Sequence, residues 1–373
     1  MVRIKVVSFD PQRATREEWA RYHEYRRTRH AETDPDDPML ADATVEARER
    51  RPDTAWKELD FAVIDLDGSE EWIGWHTREF ARPDGPSYEE NKHILWIWIS
   101  LLPSYRQQGI GRRLLQEAAN YAREHDKSLV MSYAEEASGR AFWKAVGAQD
   151  AQHDRQSRLD LERVDWTMVE QWAAEGPVRS PGSKLAWFTN RIDDKELEEW
   201  CRAFTEVWNM MPRDDLDLGD EVFTPERRRQ DEAGIAEAGG TLLTAVTREE
   251  DGTISGLTEM GYYPEQDWMI HQWMTGVRRP YRGRGLGKWI KAAMLLRVRE
   301  EFPQVRIVRT GNAFSNAPML SINERLGFKL YREGMEVQTS LEDLEAYLAK
   351  GPESEVTLLG VEDGLAGIGT ARD

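Results

Sequence analysis

Leu101 to Ala122 read LLPSYRQQGIGRRLLQEAANYA, and Val277 to Val298 read VRRPYRGRGLGKWIKAAMLLRV. Both follow Y-R-x-x-G-[IL]-G-[RK] with a proline one or two residues before the tyrosine, and Gly109 and Gly285 lie 176 residues apart. A repeat of this length decides the architecture before any local element does. Working outward, each copy is preceded by an apolar strand, ILWIWIS or WMIHQWMTGV, and before that by a hairpin, FAVIDLDGSEEWIGW or TLLTAVTREEDGTISGL. Earlier still stands an amphipathic helix, opened by the capping box Thr15-x-x-Glu18 in the first copy and by Asp193 or Asp194 in the second. Downstream come a strand (SLVMSYAE; VRIVRTGN), a helix ending AFWKAVGA or INERLGFK, further strand and a closing helix (DWTMVEQWAA; SLEDLEAYLAK). The stretch EGPVRSPGSK, Glu175 to Lys184, concentrates Gly, Pro and Ser between the copies. The expected division is therefore 1–176, a linker at 177–183, a second domain at 184–350, and a loose acidic tail at 351–373.

Composition agrees with two cores. The chain has 373 residues, 40% of them hydrophobic and 15 of them Trp, which excludes global disorder. The formal charge of −18 disfavours nucleic acid and anionic lipid as partners. The most apolar run, Ile94 to Leu102, has nine residues, too few for a bilayer span, and the N-terminus lacks a signal peptide's apolar core. The single cysteine, Cys201, rules out an internal disulfide and suits a cytoplasmic location; it reads as a small apolar helix residue. Seven histidines without ligand spacing argue against a metal.

A strand running into R-x-x-G-x-G and then a helix gathers backbone N–H groups around a concavity, with the positive end of the helix dipole behind them. Glycines let a ligand approach that backbone, and some of these positions call for positive φ. Such a site suits a diphosphate. A Walker loop ending at Gly287-Lys288 would need Gly at Arg282 and Ser or Thr at Trp289, so it fails twice; Gly283, Gly285 and Gly287 also break the dinucleotide fingerprint. One such loop is as easily an ordinary turn, but two in matching contexts are not.

On these residues each copy resembles the GNAT N-acetyltransferase superfamily, and the two-copy layout is similar to mycothiol synthase-like two-domain actinobacterial acetyltransferases. The second copy adds RTGNAFSNAPMLSINERLGF, similar to the family's Asn-containing segment and its helix ending L-G-F. The resemblance implies an α/β (α+β) fold, each domain a mixed, mostly antiparallel sheet flanked by helices. It implies acetyl-CoA as co-substrate and no metal. The second cradle would be Val277, Arg282, Gly283, Arg284, Gly285, Leu286 and Gly287, joined by Asn312, Asn316 and Met319; Arg106, Gly109 and Gly111 are the first copy's counterparts. The strand before the loop would splay from its neighbour and offer N–H groups to the thioester oxygen.

Aligning the copies separates their chemistry. The strand MIHQWMTGV carries His271, Gln272 and Thr275 where the first copy has Leu95, Trp96 and Ile99, and on the preceding strand Glu259 faces Thr77 when Gly256 is set against Gly74. Glu259 is the first candidate for taking the ammonium proton and His271 the second, against the plainer readings of a solvated strand residue and a structural histidine. Many family members place a Tyr where this chain has Asn323 and Trp143. Asn323 would then hydrogen-bond the CoA sulfur, leaving Tyr262, Tyr263, Tyr281 or water as the acid. The first copy reads as degenerate, a scaffold that keeps RQQGIG. Asp214, Asp215, Asp217 and Asp220 lie in an acidic insertion over the acceptor side in such folds, where they would attract a cationic amine or simply face water. The function expected is direct acetyl transfer to a small-molecule amine at a C-terminal site, with a non-catalytic CoA-binding sensor as the alternative.

Overall fold

The computed structural model describes residues 3–50, 55–67, 71–350 and 356–362. Its chain forms two compact units, 1–150 with 337–373, and 151–336. The first contains β1 (Arg3–Phe9), α1 (Arg16–Thr33), α2 (Asp42–Glu49), β2 (Trp56–Asp65), β3 (Trp72–Ala81), a short α3 (Tyr88–Asn91), β4 (Ile94–Leu101), α4 (Ile110–Glu124), β5 (Leu129–Ala134) and α5 (Ala137–Val146). β6 (Gln149–Asp160) carries the chain into the second unit: α6 (Trp166–Arg179), β7 (Lys184–Thr189), α7 (Asp194–Asn209), α8 (Pro225–Glu237), β8 (Thr241–Arg248), β9 (Ile254–Tyr262), β10 (Met269–Val277), α9 (Leu286–Glu301), β11 (Ile307–Ala313) and α10 (Ala317–Leu326). β12 (Lys329–Ser340) leads back to the first unit, which α11 (Leu341–Lys350) and β13 (Thr357–Glu362) complete.

This division differs from the one expected at 177–183. β6 pairs antiparallel with β11 from Asp154 to Asp160, and α6 packs on α9. Conversely, α11 lies on α4, where Arg112 donates to the Leu348 carbonyl at 2.6 Å and Arg123 pairs with Glu345 at 2.5 Å. The first repeat's last strand and helix thus build the second unit, and the second repeat's last helix, reached through the end of β12, builds the first. The linker is short: residues 177–179 are the last of α6, and β7 begins at Lys184. The expected loose tail also needs correction, since Thr357–Glu362 pairs parallel with β1; residues 351–355 and 363–373 lie outside the described residues.

Strand order is β13-β1-β2-β3-β4-β5 in one unit and β6-β11-β10-β9-β8-β7 in the other, mixed but mostly antiparallel as expected. Strands β4 and β5 pair in parallel for only three residues, Ile94 to Trp96, and β10 and β11 only for Met269 to His271, after which each pair diverges. The divergence opens a wedge beside both glycine loops. The units differ at the wedge, because β3 and β4 run in unbroken register whereas β10 bulges, setting Trp273 and Met274 against Glu259 alone. The second unit's main core packs Met260 and Ile270 under Leu295 and Val298 of α9, anchoring the helix whose N-terminus forms the cradle. Thr15 and Glu18 make the expected capping box. Among the described residues no helix is long and apolar enough to cross a membrane.

Candidate functional site

In the second unit the chain leaves β10 and turns through Gly283 (φ +81°) and Gly285 (φ +85°) into α9. Those angles are open to glycine and costly for other residues, by about 1 kcal/mol. Gly285 is also constrained from outside, since a Cβ there would lie 3.1 Å from Arg179 Nε. The result is a cleft of about 410 Å³. Val277, Arg282, Gly283, Gly285, Leu286 and Gly287 line it from the loop side, with Met319 of α10 and Asn316 just before that helix. Three candidates sit elsewhere. Arg284 pairs with Glu249 at 3.0 Å and donates to Ser183 at 2.7 Å, so it clamps the loop instead of facing the cleft. Asn312 and Asn323 are outside the lining; Asn323 Nδ2 donates to Asn312 Oδ1 at 2.8 Å, tying α10 to β11.

Charge in this cleft is one-sided. Arg179, Arg282 and Lys288 line it, and among the described residues no carboxylate pairs with Arg179 or Arg282. The Arg282 guanidinium donates to the Val277 carbonyl at 3.0 Å and lies 3.6 Å from Met210 Sδ. Burial, then the Arg325 and Arg179 guanidiniums, hold the Lys288 amine below the usual lysine range. In a chain of net charge −18, three cations at a helix N-terminus, two of them unpaired by carboxylates among the described residues and the third beside Glu175, suit an anion. The residues present fit a diphosphate. Arg179 is the member that sequence reasoning missed, because it belongs to the first repeat and reaches the cradle only through α6. The position depends on Gly176, where a Cβ would lie 2.1 Å from the Trp289 ring of α9.

The first unit repeats the geometry and cancels the charge. Gly109 (φ +83°) caps α4 as Gly285 caps α9, but Gln107 stands at φ +59° where the second copy has Gly283. Arg106 holds Glu32 at 2.7 Å and Glu136 at 3.3 Å, and Arg29 also bonds both carboxylates. Glu136 is the residue before α5, the place Asn316 occupies before α10. Phe142 lies 3.3 Å from where a Gly111 Cβ would be, over the first turn of α4. The chain's own carboxylates therefore sit on the arginine that the pattern offers to a phosphate.

Beyond the bulge lies the region expected to hold the acetyl group. Glu259 is buried, and its oxygens are engaged by Arg228 at 2.9 Å and by Thr244 Oγ1 at 2.5 Å. Arg228 also bonds Glu232 at 2.9 Å and lies over the Trp200 ring at 4.0 Å. Glu259 is thus a buried ion-pair residue, neither the solvated strand residue nor an open carboxylate. The first unit carries the same carboxylate–hydroxyl pair with the strands exchanged: Asp60 of β2 accepts from Thr77 of β3 at 2.6 Å, in the register where Thr244 of β8 meets Glu259 of β9. His271 pairs with Gly261, so its side chain shares a sheet face with Glu259, and its ring lies 6.4 Å from that of Tyr263. Tyr281 lines the cleft, whereas the Tyr262 hydroxyl accepts from Gln304 at 2.7 Å. Of the insertion's aspartates, Asp220 pairs with Arg213 at 3.0 Å.

Residues 16–148 match the family model described as Acetyltransferase (GNAT) family. A search of curated proteins finds no match. Among solved structures the chain is similar to a tandem GNAT protein from the clavulanic acid biosynthesis pathway, at 22% identity and TM-score 0.68, over 91% of this chain and 98% of that one. It is similar also to a GCN5-related N-acetyltransferase from Sphaerobacter thermophilus, at 14% identity and TM-score 0.61, over 91% and 96%. N-myristoyltransferase of Saccharomyces cerevisiae, solved with myristoyl-CoA, matches at 9% identity and TM-score 0.52, over 90% and 78%.

Proposed function

We propose that this acyltransferase, whose first repeat is a GNAT acetyltransferase domain and whose whole chain has the tandem GNAT fold, uses its second repeat to move an acetyl group from acetyl-CoA to a small-molecule amine. The observation that carries the reading is the contrast between the two cradles: among the described residues Arg282 has no carboxylate partner beside a cleft of about 410 Å³, whereas Arg106 is bonded to Glu32 and Glu136. One coenzyme per chain follows, although the family model matches the first repeat. Bound acetyl-CoA supplies the activated acyl thioester. The chain's part is then electrostatic and positional. The N-terminus of α9, with Arg179, Arg282 and Lys288, holds the diphosphate. The β10 bulge frees backbone N–H groups beside the wedge, where they would stabilise an oxyanion.

For proton removal we assign His271, half-exposed on the sheet face it shares with Glu259. Glu259, with both oxygens engaged, acts by positioning Arg228 and the strands around it. The test is to incubate the protein with acetyl-CoA and a panel of small amines and follow free thiol. Amine-dependent thiol release is expected, with His271→Asn lowering kcat at least tenfold while acetyl-CoA affinity stays unchanged. Binding without thiol release across a broad panel would favour a coenzyme-binding sensor and overturn the enzymatic reading.

A further inference from the structure

One buried charge-bearing group in the second unit has no part in the chemistry above. Lys291 lies on α9, one turn beyond Gly287 and on the same helical face, directed at α10. It is 1% exposed, among the largest fully buried side chains of the protein. Its nearest polarizable neighbours are Met319 Sδ at 4.0 Å and the Phe328 ring at 5.3 Å. The corresponding residue of α4, six positions after its glycine, is the core residue Leu115. A lysine in place of leucine at a core position costs several kcal/mol unless the amine finds a charge or gives up its proton. Among the described residues no carboxylate pairs with the amine to offset that cost. Of the charged groups on the elements around it, Lys288 of α9, Arg325 of α10, and Arg179 and Glu175 of α6 form a neighbouring group of their own. Burial alone pushes the Lys291 amine down to about 7. Met319, which lies against this amine, is itself part of the cleft lining. A methionine is an unbranched, easily displaced cover.

We propose that Lys291 is a concealed cationic member of the coenzyme site, shielded by Met319 when no anion is present and protonated as the diphosphate of the acyl-CoA seats against α9. Binding then takes up a proton. This rests on the reading of the C-terminal cleft as the coenzyme site.

The linkage has a definite sign. An amine that is charged in the complex and titrates near 7 in the free protein leaves binding unaffected below that pH. It weakens binding by up to tenfold per pH unit above it. Acetyl-CoA, having no free thiol, is titrated by calorimetry into the full-length protein from pH 6 to 9, at pH 8 in two buffers of unlike ionisation enthalpy. Uptake approaching one proton per bound coenzyme is expected at pH 8, with the dissociation constant rising roughly tenfold from pH 7.5 to 8.5. Lys291→Met should take up none and show a flat profile, and its thermal midpoint should equal or exceed the wild type's. Wild-type binding without proton uptake, or an unchanged slope in Lys291→Met, would overturn the proposal. Absence of any binding to the wild type would instead overturn the reading of the cleft.

Discussion

Replacing Asn316 by Glu copies into the second cradle the carboxylate that Glu136 places in the first. Asn316 lines the cleft, precedes α10, and makes no capping hydrogen bond, so the change removes no side-chain contact that holds the helix. Its effect on folding should stay near 0.5 kcal/mol, the lower end of cap substitutions. Its effect on an anionic ligand should be larger. Two unit charges about 5 Å apart at an effective dielectric of about 20 repel by about 3 kcal/mol. Since the cleft opens to solvent, roughly half of that survives screening for each nearby phosphate charge. A loss of about 1.5–3 kcal/mol follows, or roughly ten- to hundredfold in the dissociation constant for acetyl-CoA. The new carboxylate can also pair with Arg282 as Glu136 pairs with Arg106, which adds to the loss. Equilibrium titration of acetyl-CoA reads the effect, with Asn316→Gln as a neutral control of the same length. The control should stay within about threefold of the wild type. If Asn316→Glu also binds within threefold, while its thermal midpoint stays unchanged, the carboxylates in the first cradle do not explain its proposed silence.

Two further outcomes concern buried carboxylates. Glu259→Gln leaves Arg228 buried with only Glu232 as its ionic partner, and it should cost about 3 kcal/mol by chemical denaturation with acetyl-CoA affinity unchanged; a cost below 1 kcal/mol would show that the pair is not the anchor described. Glu336 of β12 is pushed up to about 7 by burial and then by the Asp154 carboxylate. Because its folded value lies above the unfolded one, its neutral form is favoured, and stability falls as pH rises from about 4.5 through 7. Glu336→Gln should therefore raise the thermal midpoint by several degrees at pH 8 and leave it unchanged at pH 4, and equal midpoints at both pH values would contradict this.

Much of the fold was legible because the informative signals are local. The glycine pattern, the Thr15 and Glu18 cap, the paired hairpins and the strands before each loop report on residues close in sequence, and each appears where expected. The exchange of closing elements was not legible. β6 and β12 end their repeats with similar patterns, and only the pairing of β6 with β11, across more than a hundred residues, tells that the first repeat's last strand completes the second unit. Arg179 was missed for that reason, since it reads as the end of the first domain and lines the cleft at the second glycine loop. The engagement of Glu259 by Arg228 was hidden likewise, because the arginine comes from α8, one element before the hairpin. The masking of Arg106 had a usable signal: matching the residue before α5 to that before α10 sets Glu136 against Asn316.

The most direct measurement is the stoichiometry of acetyl-CoA binding by calorimetric titration of the full-length protein, alongside Gly285→Trp and Gly109→Trp. One equivalent is expected for the wild type, none for Gly285→Trp, and one for Gly109→Trp. Two equivalents, or a single equivalent lost in Gly109→Trp and kept in Gly285→Trp, would contradict assignment of the coenzyme site to the second repeat.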